Sequence, residues 1–194
     1  MSTDVKGIVV FVHGSGSSRH SPRNKYVANV LQEAGFLTLL FDLLTAEEEA
    51  IDNKTAEFRF NIPLLTRRVI QTIEWLKKSN ETKNLKMGLF GASTGAAAAL
   101  AAAAEKPEDI QAVVSRGGRP DLAKEALPKV KAPTLLIVGE NDPEVIKLNQ
   151  MAKDQMVAET ELVIIPGATH LFEEEGALEE VAKYAASWFT KYLS

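Results

Sequence analysis

The 194-residue chain contains no cysteine. That excludes a disulfide framework, a thiolate nucleophile and any zinc or iron–sulfur site built on cysteine. Long apolar runs are also missing. The longest, Ala96–Ala104, is mostly alanine and falls well short of the ~18 residues that a membrane span requires. Positive charge is not in excess either: 22 Lys and Arg face 26 Asp and Glu, for a net charge of −4. No basic run is interleaved with aromatics, so neither nucleic acid nor an anionic membrane is the expected partner. The first residues, Met1–Lys6, have neither the basic start nor the apolar stretch of a signal peptide, and a soluble cytosolic protein is the expectation. Histidine is scarce, with three in the chain, so imidazole chemistry has few candidates.

The composition, 45% apolar and 25% charged, is that of a globular protein. The length suits one domain spanning residues 1–194. Six short apolar runs punctuate the chain: Gly7–Val12, Phe36–Phe41, Leu85–Phe90, Ile110–Ser115, Thr134–Val138 and Glu161–Ile165. They are continuously apolar, as strands covered on both faces are. Between them, apolar stripes at helical spacing run through Tyr26–Ala34, Leu65–Leu76, Val145–Ala152 and Leu178–Tyr192. Strand alternating with helix predicts a parallel sheet sandwiched between helices, a three-layer α/β architecture. Breakers agree with this reading. Gly35 fits the position just past the first helix, and Pro107 follows the alanine-rich one. Asp142-Pro143 is suited to open another. The stretch Leu44–Asn61, with Glu47-Glu48-Glu49, reads as an irregular loop or small lid.

The third apolar run leads into Gly91-Ala92-Ser93-Thr94-Gly95, followed at once by a helix former. This is G-x-S-x-G in the strand–turn–helix setting the motif needs. A nucleophile on so sharp a turn requires small neighbours two residues before and after it. The amide of Thr94 then lies at a helix N-terminus, where developing negative charge is favoured. A serine hydroxyl needs a base, and His170 follows the sixth run at the same sheet edge. The acid that would orient His170 is Asp142, after the fifth run. Its competing reading is a helix N-cap, with Glu140 the nearest substitute acid. The turn His13-Gly14-Ser15-Gly16-Ser17-Ser18 is placed to supply a second oxyanion donor, from Ser15 or, second, Gly16. His13 is expected to organise that turn, His20 to face solvent, and Asp42 to tie down loop backbone. Neither glycine-rich turn is a nucleotide motif: the first lacks the lysine of a phosphate loop, and the second lacks G-x-G-x-x-G spacing.

Arginines cluster at the same edge. Arg116 and Arg119 follow the fourth run, and Arg19 and Arg23 lie near the oxyanion turn. Arg116, Arg119 and Arg19 are candidate substrate-binding residues, able to clamp an anionic group, and a preference for small anionic esters is the expectation. The competing reading pairs them with local carboxylates such as Asp121.

In these segments the chain resembles the dienelactone hydrolase-like branch of the α/β-hydrolase superfamily, over essentially its whole length. The residues that carry the likeness are Val12-His13-Gly14-Ser15-Gly16, Gly91-Ala92-Ser93-Thr94-Gly95, Gly139-Glu140-Asn141-Asp142 and Gly167-Ala168-Thr169-His170. The order Ser, Asp, His along the chain is that of α/β-hydrolases. The resemblance implies a six-stranded sheet of order 2-1-3-4-5-6, with the nucleophile beside the reversal of strand order. It also implies hydrolysis of a small-molecule carboxylic ester, without metal or organic cofactor. Dienelactone hydrolase proper has a cysteine nucleophile where this chain has Ser93. With about seven residues before the first run and no large insertion, a minimal core without a large cap is expected. Thioesterase, lactonase or C–C hydrolase chemistry on the same triad, and a non-catalytic ligand-binding protein of this fold, are the alternatives.

Overall fold

A computed structural model describes residues 5–194. The apolar runs form β1 (Ile8–Val12), β2 (Leu37–Leu40), β3 (Met87–Ala92), β4 (Ile110–Arg116), β5 (Thr134–Gly139) and β6 (Thr160–Ile165). All neighbouring pairs are parallel, and the order is β2-β1-β3-β4-β5-β6. The order reverses between β1 and β3, which puts Ser93 and the 13–18 turn side by side at the C-terminal edge of the sheet.

Alternation along each strand divides the core in two. Ile8, Val10 and Val12 pack with α3 (Ile62–Lys78) and α4 (Thr94–Glu105). Val9 and Phe11 face α1 (Pro22–Glu33) and α6 (Ala177–Leu193). α4 is nearly all alanine, and Ala96–Ala99 have no exposed surface, so its backbone lies close against the sheet. On the other face bulk does the same work: Phe189, fully buried, contributes on the order of 2–3 kcal/mol by leaving water. Among the described residues, no helix is long and apolar enough to cross a membrane.

Two elements depart from the sequence expectation. Residues within 44–61 form a helix, α2 (Ala46–Thr55). Its apolar signal is weak because its one buried residue is Asp52. Its start was nevertheless legible, since Thr45 and Glu48 make a reciprocal capping box. Two short 3₁₀ pieces within Pro120–Lys129, joined by a kink at Lys124, separate β4 from β5. In α5 (Pro143–Lys153) the inward row is Val145, Asn149 and Ala152, while Met151 is half exposed. The fully buried Asn149 amide donates to Val145 O at 2.8 Å and Gly118 O at 3.0 Å, which explains a polar residue on a core face.

Candidate active site

Ser93 joins β3 to α4 with φ 51° and ψ −125°, a conformation that costs a non-glycine residue ~1–3 kcal/mol. The turn is held from both sides. Ser93 N–H donates to Arg116 O at 3.2 Å, and its carbonyl accepts from Ala96 N at 3.1 Å and Arg119 N at 3.0 Å. The motif glycines are sterically forced. A Cβ on Gly91 would sit 2.5 Å from Ala96 Cα, and one on Gly95 2.2 Å from Val12 O.

His170 and Asp142 meet at this edge. His170 Nδ1 lies 2.7 Å from Asp142 Oδ2, so Nδ1–H donates to the carboxylate and Nε2 is left available. Asp142 stands at the N-cap of α5 but makes no capping bond with its side chain; its carboxylate serves His170 instead. The two loops are laced together. Asn141 N–H donates to Ala168 O at 2.9 Å, Asn141 Nδ2 to Gly167 O at 2.8 Å, and Gly167 N–H to Glu140 Oε2 at 2.7 Å. Glu140 therefore ties the loops and does not substitute for Asp142. His170 reaches the Ser93 turn through Gly117, where a Cβ would lie 3.6 Å from His170 Cε1. Among the described residues, no hydrogen bond closes between Ser93 Oγ and His170 Nε2.

The 13–18 turn abuts Ser93: a Cβ on Gly14 would be 3.0 Å from Ser93 Cβ. Among the described residues, the N–H groups of Thr94 and Ser15 find no protein acceptor. Gly16, at φ 67°, shapes the turn. His13 anchors it. Nδ1–H donates to Gly14 O at 2.9 Å and Nε2 accepts from Leu43 N–H at 3.0 Å. Burial holds its pKa below the ordinary 6.5, against smaller opposing contributions from Gly14 O and Asp42.

A hydroxyl chain leads away from the 13–18 turn. Thr94 Oγ1 and Ser15 Oγ are 3.0 Å apart, and Ser15 Oγ donates to Arg59 O at 3.3 Å. Arg59 is clasped by Asp52. The carboxylate accepts from Phe58 N–H, Arg59 N–H and Arg59 Nε at 2.7–2.9 Å. Desolvation raises the Asp52 pKa, but these donors outweigh it and hold the carboxyl below its usual range. α2 and the turn after it thus form one wall of a cleft that opens onto Ser15 and Thr94. Nothing in the sequence spacing pointed to this Asp52–Arg59 clasp.

The arginines separate clearly. Arg19 is exposed and pairs with Asp42 at 2.8 Å, while Asp42 also accepts from Arg19 N–H at 2.7 Å. Arg119 is bidentate to Asp121 at 2.8 and 2.9 Å. Both are engaged by local carboxylates. Arg116 is not. It is 8% exposed and forms no ion pair among the described residues. Its pKa is pushed down to about 10, first by desolvation and then by the like charge of Arg23. His20 is exposed.

A six-stranded parallel sheet of this order, with a strained serine turn and a His–Asp pair at its C-terminal edge, defines the α/β-hydrolase fold. Residues 1–193 match the dienelactone hydrolase family, and the chain belongs to that family. Dienelactone hydrolase from Anabaena variabilis is 62% identical, with a TM-score of 0.95 over 97% of this chain and 87% of that one. A monoacylglycerol lipase from Paleococcus ferrophilus shares the fold at 18% identity, with a TM-score of 0.73 over 96% of this chain and 95% of that one. A Mycobacterium tuberculosis protein named "Putative phosphoribosyl transferase" is 57% identical over 188 residues, which are 97% of this chain and 42% of that protein. The chain thus spans about two-fifths of the length of the curated relatives it matches.

Proposed function

We propose that the chain is a serine-dependent carboxylic ester hydrolase, in which Ser93, His170 and Asp142 act as a triad on small-molecule esters. The observation that supports this most is the 2.7 Å His170–Asp142 hydrogen bond on loops laced beside the strained Ser93 turn. It fixes the tautomer in which Nε2 has a lone pair to accept a proton. Ser93 Oγ attacks the ester carbonyl as its proton passes to His170 Nε2. The N–H groups of Thr94 and Ser15 receive the oxyanion. Collapse expels the alcohol, protonated by His170, and leaves the acyl group on Ser93. Water, deprotonated by His170, then releases the acid and restores the serine. None of these steps calls on a metal or organic cofactor. With 3₁₀ pieces and no large cap between β4 and β5, short acyl chains are the expected substrates. A single domain working in the cytosol, without nucleic acid or membrane partners, completes the reading.

The phosphoribosyl transferase name belongs to a relative of which this chain covers 42%. Residues 1–193 match the dienelactone hydrolase family, so the hydrolase reading is the better one. Its test is hydrolysis of short 4-nitrophenyl esters. The expected result is a burst of nitrophenolate equal to the enzyme, with Ser93→Ala losing a factor of about 10⁴ or more. Folded wild-type protein that turns over no ester, thioester or lactone would favour a non-catalytic binding protein.

A further inference from the structure

The two N–H groups assigned to the oxyanion come from residues 79 positions apart in the chain. Both residues carry hydroxyls, and the hydroxyls meet: Thr94 Oγ1 and Ser15 Oγ are 3.0 Å apart. Ser15 Oγ gives its own hydrogen to Arg59 O at 3.3 Å, so the hydrogen shared with Thr94 is that of Thr94. The bonds therefore run one way, from Thr94 through Ser15 to a backbone carbonyl. Asp52 holds that carbonyl in place. Arg59 N–H and Nε donate to the Asp52 carboxylate at 2.9 and 2.8 Å, and Nη2 donates to Asp52 O at 2.8 Å. Asp52 is buried, and desolvation of a buried ion pair offsets much of its attraction. What three bonds to one residue do supply is a fixed position for Arg59.

The Ser15 N–H shares a planar peptide with Gly14 O. That oxygen accepts from His13 Nδ1–H at 2.9 Å and Ser17 N–H at 3.2 Å, which sets the tilt of the plane. The next residue gives no support, since nothing lies within 4 Å of a Cβ placed on Gly16. The Ser15 hydroxyl is the tie that reaches across to α2 and to Thr94. We propose that Asp52 and Arg59 are positioning residues for the oxyanion site. Held by Asp52, the Arg59 carbonyl sets the spacing of the Ser15 and Thr94 N–H groups through their two hydroxyls. This assignment rests on Ser93 being the nucleophile. Donors have to stand ~2.7–3.1 Å from the oxyanion, which exists only after attack. Loss of the tie therefore slows the chemical step and leaves ground-state binding unchanged.

The test measures kcat and KM on a short 4-nitrophenyl ester, and Ki for butyl trifluoromethyl ketone, in wild type, Asp52→Asn, Ser15→Ala and Thr94→Val. Ser93 Oγ adds to the ketone carbon, its proton passes to His170, and the carbonyl electron pair becomes an alkoxide facing the two N–H groups. Ki thus reads the oxyanion donors without a leaving group. The expected result is kcat and kcat/KM lowered together by about 10- to 100-fold in each variant, with Ki raised to match. Thr94→Ser, which keeps the hydroxyl, should recover most of what Thr94→Val loses. If Asp52→Asn fails to fold, Arg59→Lys takes its place, since it keeps the charge and loses the Nε and Nη2 bonds. Folded variants with kcat and Ki within about twofold of wild type overturn the proposal, as does a loss confined to KM with Ki unmoved. Wild type that neither hydrolyses ester nor adds the ketone is a distinct result, which removes the Ser93 reading and the positioning role with it.

Discussion

Replacing Gly95 by alanine would put a methyl carbon 2.2 Å from the Val12 carbonyl oxygen and 2.3 Å from that of His13. Ordinary contact begins near 3.4 Å, so α4 and the end of β1 would have to separate by roughly 1 Å. Both offending atoms are backbone, and neither can swing aside as a side chain would. The first turn of α4 carries the Thr94 amide, and the turn that follows β1 carries the Ser15 amide, so the strain falls on the gap between the two proposed oxyanion donors. Misplacement of about 1 Å costs a factor of roughly 10² in rate, or about 2.7 kcal/mol at 1.36 kcal/mol per decade. Overpacking adds ~1–3 kcal/mol of destabilisation. Gly16→Ala is the control. Nothing lies within 4 Å of its Cβ, and the penalty is its φ of +67° alone, ~1–2 kcal/mol. The assay is kcat on a short 4-nitrophenyl ester beside the thermal midpoint of each variant. Gly95→Ala with kcat within threefold of wild type would refute the reasoning.

Three further outcomes follow from the same geometry. Asp142→Asn should lower kcat by about 10³–10⁴ through the wrong His170 tautomer, yet leave the melting temperature close to wild type because Asp142 makes no side-chain cap on α5; a rate loss below tenfold would count against the triad. His13 is buried neutral with a lowered pKa, so below its ordinary 6.5 the unfolded chain binds a proton that the folded chain refuses. Stability from this residue is therefore full above that pH and declines as pH falls toward the folded pKa; His13→Gln should flatten that slope in chemical denaturation series, and an unchanged slope contradicts the assignment. Asp52→Asn places an amide against Arg59 Nε, so hydrogen exchange at Phe58 and Arg59 should accelerate while β3 and β4 amides stay protected, and equal exchange in the two proteins would dismiss the clasp.

Much of this was legible because the physics is local. Six runs covered on both faces read as strands without alternation, and Ser93, Asp142 and His170 each follow one of them. Their meeting needed only the parallel order that the family resemblance implied. Asp142 was ambiguous from sequence, since a residue before Pro143 suits a helix cap equally well; only the direction of its side chain toward His170 separates the readings. α2 escaped because its inward contact is an ion pair between Asp52 and Arg59, which leaves no apolar periodicity to read. The arginines were alike on paper. Arg119 lies two residues from Asp121 and could be paired by eye. Arg19 finds Asp42 across 23 positions, and Arg116 feels the like charge of Arg23 and pairs with no acid among the described residues.

The most direct measurement is the mass of the protein after reaction with a fluorophosphonate, followed by mapping of the modified peptide. One adduct per chain, located on Ser93 and absent from Ser93→Ala and strongly slowed in His170→Ala, is the predicted result. Folded wild-type protein that takes up no label, or takes it at another serine, would contradict the assignment of Ser93 as the nucleophile.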